Sequence, residues 1–113
     1  MSEIFRGQIW LVNLDPTVGA EIKKTRPAIV ISNNVSNQYA GTITVLPVTD
    51  QGEKIYPFEV PLRGGAGLTK ESKIKCQQIR TIDKSRLIKL LGKIESSDLN
   101  KIKEAVLIHL GLD

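Results

Sequence analysis

The sequence predicts a mainly β domain with a C-terminal helix, built as a small, strongly curved sheet or barrel. Short runs rich in β-branched and large apolar residues recur at close spacing, separated by breaks of Pro, Gly and Asn. Only the last segment, from Ser96 onward, places apolar residues at helical spacing. At 113 residues the chain is one domain with a modest core, small enough that a dimer interface would help to stabilise it.

Ile9 to Leu14 reads as the first strand, closed by the turn signal Asp15-Pro16, and a loop runs from Pro16 to Thr25. Pro27 to Ser32 is almost continuously apolar, as expected of a strand covered on both faces, and Asn33-Asn34 ends it. Asn34 to Tyr39 suits a short helical turn. Thr42 to Val48 is dense in β-branched residues and forms a third strand, with Pro47 placing its end at a sheet edge or bulge.

Tyr56 to Leu62 alternates loosely as a further strand. The glycine-rich Arg63-Gly64-Gly65-Ala66-Gly67 lacks the following helix and the full spacing of a phosphate loop, so it reads as a flexible connection. Ser72 to Ile82 alternates polar and apolar residues like one strand with a wet face, and Leu87 to Leu91 adds a short strand. Ser96-Ser97-Asp98 opens a helix whose stripe is Leu99, Ile102, Val106 and Leu110, and Gly111 stops it. His109, beside that stripe, suits a packing or solvent-edge role.

A hydrophobic fraction of 41% and a charged fraction of 25% are those of an ordinary globular protein. Sixteen Lys and Arg against 12 acidic residues give a net charge of +4, a mild bias toward polyanions. The cations cluster: Lys23, Lys24 and Arg26 in the first loop, and Lys70, Lys73, Lys75, Arg80, Lys84 and Arg86 around a later strand. If both clusters share a face, that face attracts a phosphate backbone. One cysteine, Cys76, and one histidine, His109, supply no zinc ligand set, so neither metal nor cofactor is expected, and Cys76 reads as a core residue. Neither a signal-peptide core nor a membrane-length apolar run is present in the sequence, which predicts a cytoplasmic protein without membrane contact.

The most informative segment is Gly19-Ala20-Glu21-Ile22-Lys23-Lys24-Thr25-Arg26-Pro27, where a flexible loop enters a buried strand. Gly19 lets the backbone turn, Lys23 and Lys24 draw in a polyanion, and Pro27 pushes Arg26 toward extended geometry at the strand's root. Taken alone, a charged loop of this kind is as readily a solvated hairpin as a binding loop. Three further blocks accompany it in order: Gly7 to Pro16, Leu46-Pro47-Val48-Thr49, and Gln78-Ile79-Arg80-Thr81-Ile82-Asp83.

Together these blocks, spanning about Arg6 to the terminal helix, resemble the MazF/PemK family of toxin endoribonucleases. The resemblance implies an SH3-like barrel with appended helices, a homodimer, and a toxin that cuts single-stranded RNA at a short sequence without metal. It also implies 2′,3′-cyclic phosphate and 5′-hydroxyl ends, and an antitoxin partner whose acidic, flexible tail covers the basic groove. The family's Gly-x-Glu falls at Gly19 and Glu21, its Arg-Pro at Arg26 and Pro27, its strand-end threonine at Thr49, and its glutamine at Gln78. The chain departs from many relatives at Ala20, where serine would add a phosphate-binding hydroxyl.

Metal-free cleavage uses the substrate's own 2′-hydroxyl as nucleophile and needs a proton acceptor, a donor to the leaving 5′-oxygen and stabilisation of the added negative charge. With one histidine, the chemistry rests on carboxylate, guanidinium, hydroxyl and amide groups. Arg26 offers a planar fork to two phosphate oxygens, and a guanidinium surrenders a proton only with difficulty. Thr49 can bond the scissile phosphate, and Glu21 can accept the 2′-hydroxyl proton if the loop folds over RNA. Gln78 can read a base edge or hold phosphate, or it can serve as a sheet-edge hydrogen bonder. Arg80, Thr81 and Asp83 match a family pattern that is as readily structural as functional, since an arginine and an aspartate flanking a strand end often pair, and they stand outside the catalytic set. Two alternatives share the fold: a CcdB-like poison of DNA gyrase that acts by contact alone, and a family member that binds RNA without cutting it. Arg26 and Thr49 discriminate, since only cleavage needs them.

Overall fold

In a computed structural model the chain is described over residues 3–50, 52, 54–64, 67–68 and 70–112. Seven strands form one antiparallel sheet: β1 (Gln8–Asn13), β2 (Thr25–Val30), β3 (Thr42–Asp50), β4 (Glu59–Leu62), β5 (Ser72–Lys75), β6 (Arg80–Asp83) and β7 (Leu87–Lys93). Their order is β4-β5-β3-β2-β1-β7, with β6 on β3. Two helices, α1 (Asn34–Tyr39) and α2 (Ser96–Leu110), complete the fold. The architecture is the small, barrel-like sheet with a C-terminal helix that the strand pattern predicts. Among the described residues no helix is long and apolar enough to cross a membrane.

β3 organises the sheet. One of its edges pairs with β2 through residues 45–47, while the other pairs first with β6 (Thr42 to Val45) and then with β5 (Val48 to Asp50). Pro47 sits where that second edge passes from β6 to β5, so its missing N–H breaks no ladder bond there. It lies inside the strand, not at the free edge expected for it.

The same handover divides the stretch expected to be one strand over Ser72 to Ile82. A 3₁₀ turn at Cys76–Gln78 separates β5 from β6, because each pairs with a different part of β3. The expected strand over Tyr56 to Leu62 is likewise shortened at its start: Tyr56 to Phe58 turn, with the Glu59 N–H donating to the Tyr56 carbonyl at 2.9 Å.

Two apolar clusters lie on opposite faces of the β1–β2–β3 layer. Ile9, Ile29 and Leu46 point into one with Val60, Ile74, Cys76, Ile102 and Ala105, beneath α2. Trp10, Val12, Ala28, Val30, Ile43 and Val45 point into the other with Leu14 and Ile82. Successive β2 residues therefore alternate between two covered faces, which is why the run from Pro27 is apolar throughout. Leu99 and Val106 pack from α2 as expected, whereas Leu110 is exposed in the last turn. Asp98 complements the first turn of α2, and Gly111 ends the helix in the left-handed region at φ 69°. α1 is capped by the Asn33 side chain, which accepts the Ser36 N–H.

The glycine-rich connection after β4 is more constrained than the sequence suggests. Gly67, at φ +89°, approaches β7 so closely that a Cβ there would stand 2.1 Å from the Leu91 carbonyl oxygen. Gly65 and Ala66 lie outside the described residues.

Candidate functional site

The loop between β1 and β2 is tied at its base by backbone and arginine contacts. The Leu14 N–H donates to the Lys24 carbonyl at 2.9 Å, and the Lys24 N–H donates to Asp15 Oδ1 at 3.1 Å. Arg80 Nη1 donates to the Leu14 carbonyl at 3.0 Å; Arg86 Nη1 donates to the carbonyls of Asn13, at 3.2 Å, and Asp15. Arg80 thus holds the loop and does not pair with Asp83, whose carboxylate instead accepts the Ser85 N–H at 2.8 Å. Hydrogen bonding from the Ser85 side chain, then from its N–H, with the nearby Arg86 charge, holds the Asp83 carboxyl below its usual range.

Gln78 grips the loop's far side. Its Oε1 accepts the Ile22 N–H at 2.6 Å and its Nε2 donates to the Ala20 carbonyl at 3.2 Å. Both ends of the amide are engaged with loop backbone, the role of a positioning residue. Gly19 turns the loop at φ 58°, and Lys23 and Lys24 are exposed on it. Lys24 itself adopts φ 70°, a left-handed conformation uncommon for a residue with a side chain.

Arg26 and Thr49 line one cleft of about 160 Å³, together with Pro27, Asp50, Lys70 and Ser72. Sheet register explains the meeting. Ala28 lies opposite Pro47, and the same antiparallel register continued past the end of the ladder sets Arg26 across from Thr49. The strands no longer pair there, so the two side chains flank an opening. Arg26 Nε reaches the Lys23 carbonyl at 3.4 Å, a long bond, and the terminal nitrogens have no hydrogen-bond partner among the described residues. Lys70 and Asp50 pair at 3.3 Å on the exposed rim.

Glu21 lines a neighbouring cleft of about 340 Å³ with Ala20, Gln77, Gln78 and Arg80. Its carboxylate accepts the Val18 N–H, closing a small turn within the loop. The sequence-predicted residues therefore fall into two adjacent groups, Arg26 with Thr49 and Glu21 with Gln78, joined by the loop that carries Gly19, Lys23 and Lys24.

One feature of this face was not singled out from the sequence. Glu59 is buried, yet its carboxylate meets Lys73 Nζ at 3.0 Å, Lys75 Nζ at 3.8 Å, Gln77 Nε2 at 2.9 Å and the Tyr56 N–H at 3.1 Å. Burial alone would raise its pKa, but the bonds from Gln77, Tyr56 and Lys73, with the Lys73 charge, outweigh it and hold the carboxyl below its usual range. The available signal was positional: Lys73, Lys75 and Gln77 are alternate residues, and Glu59 lies opposite Lys75 in the β4–β5 ladder. Lys73, Lys75, Arg80 and Arg86 are thus bound to internal acceptors, so the later basic cluster is less free to meet phosphate than its composition implies. Cys76, buried beside Glu59, has its thiol pushed up to about 12 by burial and then by the Glu59 charge, as befits a core residue. Among the described residues no group of three or more His, Cys, Asp or Glu is placed to hold a metal ion.

The barrel-like sheet with its C-terminal helix is that of a small toxin domain. The chain belongs to the family of PemK-like, MazF-like toxins of type II toxin-antitoxin systems, whose profile matches residues 5–110. It is 42% identical over 113 residues to the endoribonuclease MazF9 of Mycobacterium tuberculosis, covering 95% of this chain and 96% of that protein. It is 35% identical over 109 residues to the endoribonuclease EndoA of Bacillus subtilis, covering 95% and 94%. The crystal structure of MazF from Deinococcus radiodurans superposes with a TM-score of 0.85 at 28% identity, covering 98% of this chain and 99% of that one.

Proposed function

We propose that this chain is a toxin endoribonuclease that cleaves single-stranded RNA without metal, leaving a 2′,3′-cyclic phosphate and a 5′-hydroxyl. The observation that carries the reading is the cleft in which Arg26 and Thr49 face each other at the open end of the β2–β3 ladder. Two relatives that match nearly the whole chain are named endoribonucleases, which supports the same chemistry here.

In this reading the Arg26 fork binds two non-bridging oxygens of the scissile phosphate and stabilises the charge that builds on them. The Thr49 hydroxyl donates to the same phosphate from the opposite strand. Glu21 takes the 2′-hydroxyl proton; the freed oxygen bonds to phosphorus, the bond to the 5′-oxygen breaks, and that oxygen takes a proton from solvent water to leave as the 5′-hydroxyl. The Val18 N–H occupies one oxygen of the Glu21 carboxylate and leaves the other to meet substrate. Gly19 permits the turn, Lys23 and Lys24 attract the backbone, and Gln78 anchors the loop while contacting RNA. Single strands suit the cleft because the attacking oxygen must swing into line with the leaving one, which an A-form duplex resists.

The protein acts in the cytoplasm as a homodimer and is silenced by a cognate antitoxin whose acidic, flexible tail lies across the basic loop. Membership of a type II toxin-antitoxin family supports such a partner. Incubating the purified protein and Arg26→Ala with a long unstructured RNA in EDTA, and mapping the new ends, tests the reading. Discrete cuts with 5′-hydroxyl ends, lost in the variant, are expected; no cutting by folded protein refutes it.

A further inference from the structure

A second feature of the same face is an exposed aromatic ring held rigidly beside a lysine. Tyr56 stacks on Phe58 with ring centroids 5.4 Å apart and planes 4° from parallel, and Phe58 in turn meets His109 of α2 at 6.3 Å. Lys54 also lies over the Tyr56 ring, with its Nζ 4.8 Å from the centroid. Tyr56 is 42% exposed, although large aromatic rings are ordinarily buried to a greater extent.

The backbone beneath the ring is fixed from several directions. The Tyr56 N–H donates to Glu59 Oε1 and the Tyr56 carbonyl accepts the Glu59 N–H, while Lys73 Nζ bonds both Glu59 and the Lys54 carbonyl, at 3.0 and 2.9 Å. Lys73 is directly opposite Thr49 in the β3–β5 ladder, and Glu59 is opposite Lys75 on β4. Directly opposite residues project from the same face of a sheet. Thr49, Lys73 and Lys75 therefore share one face with Glu59, which lies diagonal to Lys73, and this row leads from the Arg26–Thr49 cleft toward Tyr56. β3 and β4 are two strand spacings apart, about 10 Å.

We propose that Tyr56, with Lys54, is a stacking position for a nucleobase of the RNA strand that occupies the Arg26–Thr49 cleft. The inference rests on the RNA-cleaving reading of that face. Lys54 is a flexible side chain that swings from the ring to a phosphate, and the base takes its place on the ring. The π-face accepts any base, so the position supplies affinity with little sequence choice. The buried Glu59 cluster gains a role: it holds the ring before RNA arrives, so no ordering is needed on binding. Cations at Lys54, Lys73 and Lys75, against the one carboxylate of Glu59, leave the row positive and favour a polyanion over an apolar protein surface.

The test takes the shortest RNA that the wild-type protein cuts and removes one base at a time beside the cut site. With the wild type, one abasic position is expected to raise KM roughly 10- to 100-fold. With Tyr56→Ala that position is expected to have no further effect, and Tyr56→Phe is expected to behave as wild type because the ring remains. Additive effects at every position, or a Tyr56→Ala protein with unchanged KM, overturn the proposal. A Tyr56→Ala protein that sediments as monomer while the wild type is a dimer also overturns it, assigning the ring to a protein contact. If the wild type cuts no RNA, its anisotropy on oligouridylate and on the abasic polymer of equal length replaces the kinetics. A preference for the base-bearing strand that Tyr56→Ala abolishes keeps the platform while the nuclease reading falls; no preference removes the platform too.

Discussion

Gln78 holds Ile22 across 56 residues of sequence: its side-chain oxygen accepts the Ile22 N–H at 2.6 Å, while its nitrogen reaches the Ala20 carbonyl. The 3₁₀ turn after β5 thereby fixes the tip of the loop whose end carries Arg26. Replacing Gln78 with Ala removes both bonds, a loss of about 1–2 kcal/mol in local anchoring. The Ile22 amide is expected to exchange with solvent roughly 10-fold faster, with little change in global stability. Hydrogen exchange followed by NMR decides; unchanged protection would show that the arginine contacts at the loop base suffice.

Glu59 makes stability depend on acid. Its carboxyl titrates below the usual range in the folded protein, so the unfolded chain binds a proton more readily. The stabilisation is complete above the unfolded pKa of about 4.3 and is lost as pH falls through the lower folded value. Asp83 is shifted in the same direction. Glu59→Gln is expected to lose about 3 kcal/mol at neutral pH, because Lys73 is left without its partner, and to show a shallower decline in acid. Denaturant melts across the acid range check both.

Gly67 tolerates no side chain. A Cβ at 2.1 Å from the Leu91 carbonyl oxygen, on a backbone at φ +89°, forces β7 and its neighbour apart. Gly67→Ala is expected to cost about 2–3 kcal/mol and lower Tm by roughly 10 °C, whereas Gly64→Ala, whose Cβ would meet ordinary contacts of 3.7 Å or more, leaves Tm nearly unchanged. Differential scanning calorimetry of the two variants makes the comparison.

Lys24 separates stability from binding. Its φ of 70° is strained for lysine and free of strain for glycine, so Lys24→Gly is expected to be neutral or to stabilise by up to about 1 kcal/mol. The same change removes a loop cation and is expected to weaken RNA binding in a salt-dependent way. Lys23→Ala serves as the control, with weaker binding and no gain in stability. Thermal melts paired with anisotropy at two salt concentrations resolve the two effects.

Much of the fold was legible because its signals are local. β1 and β2 announce themselves by apolar runs, and α2 by the spacing of Ile102 and Val106 and the stop at Gly111. The break between β5 and β6 was passed over: the alternation lapses at Gln77-Gln78, a weak local sign whose meaning comes from β3 changing neighbours there. Arg26 and Thr49 could be named in sequence, but their meeting depends on register between β2 and β3. Arg80, Arg86 and Lys73 count as surface cations in a composition, yet each is taken up by a carbonyl or carboxylate contributed by a distant segment.

Because β3 offers both of its edges to the rest of the sheet, a chain severed between β3 and β4 falls into two pieces that need each other. The first would carry Arg26 and Thr49 with an unpaired β3 edge; the second would carry Arg80 on β6, which pairs with β3 alone, and Gln78 and Arg86 in the turns that flank it. Neither piece has both the Arg26–Thr49 pair and the residues that hold the loop. A toxic activity that harms its own host during expression can therefore be made conditional on the meeting of two separately encoded fragments, with β3 as the seam along which they rejoin.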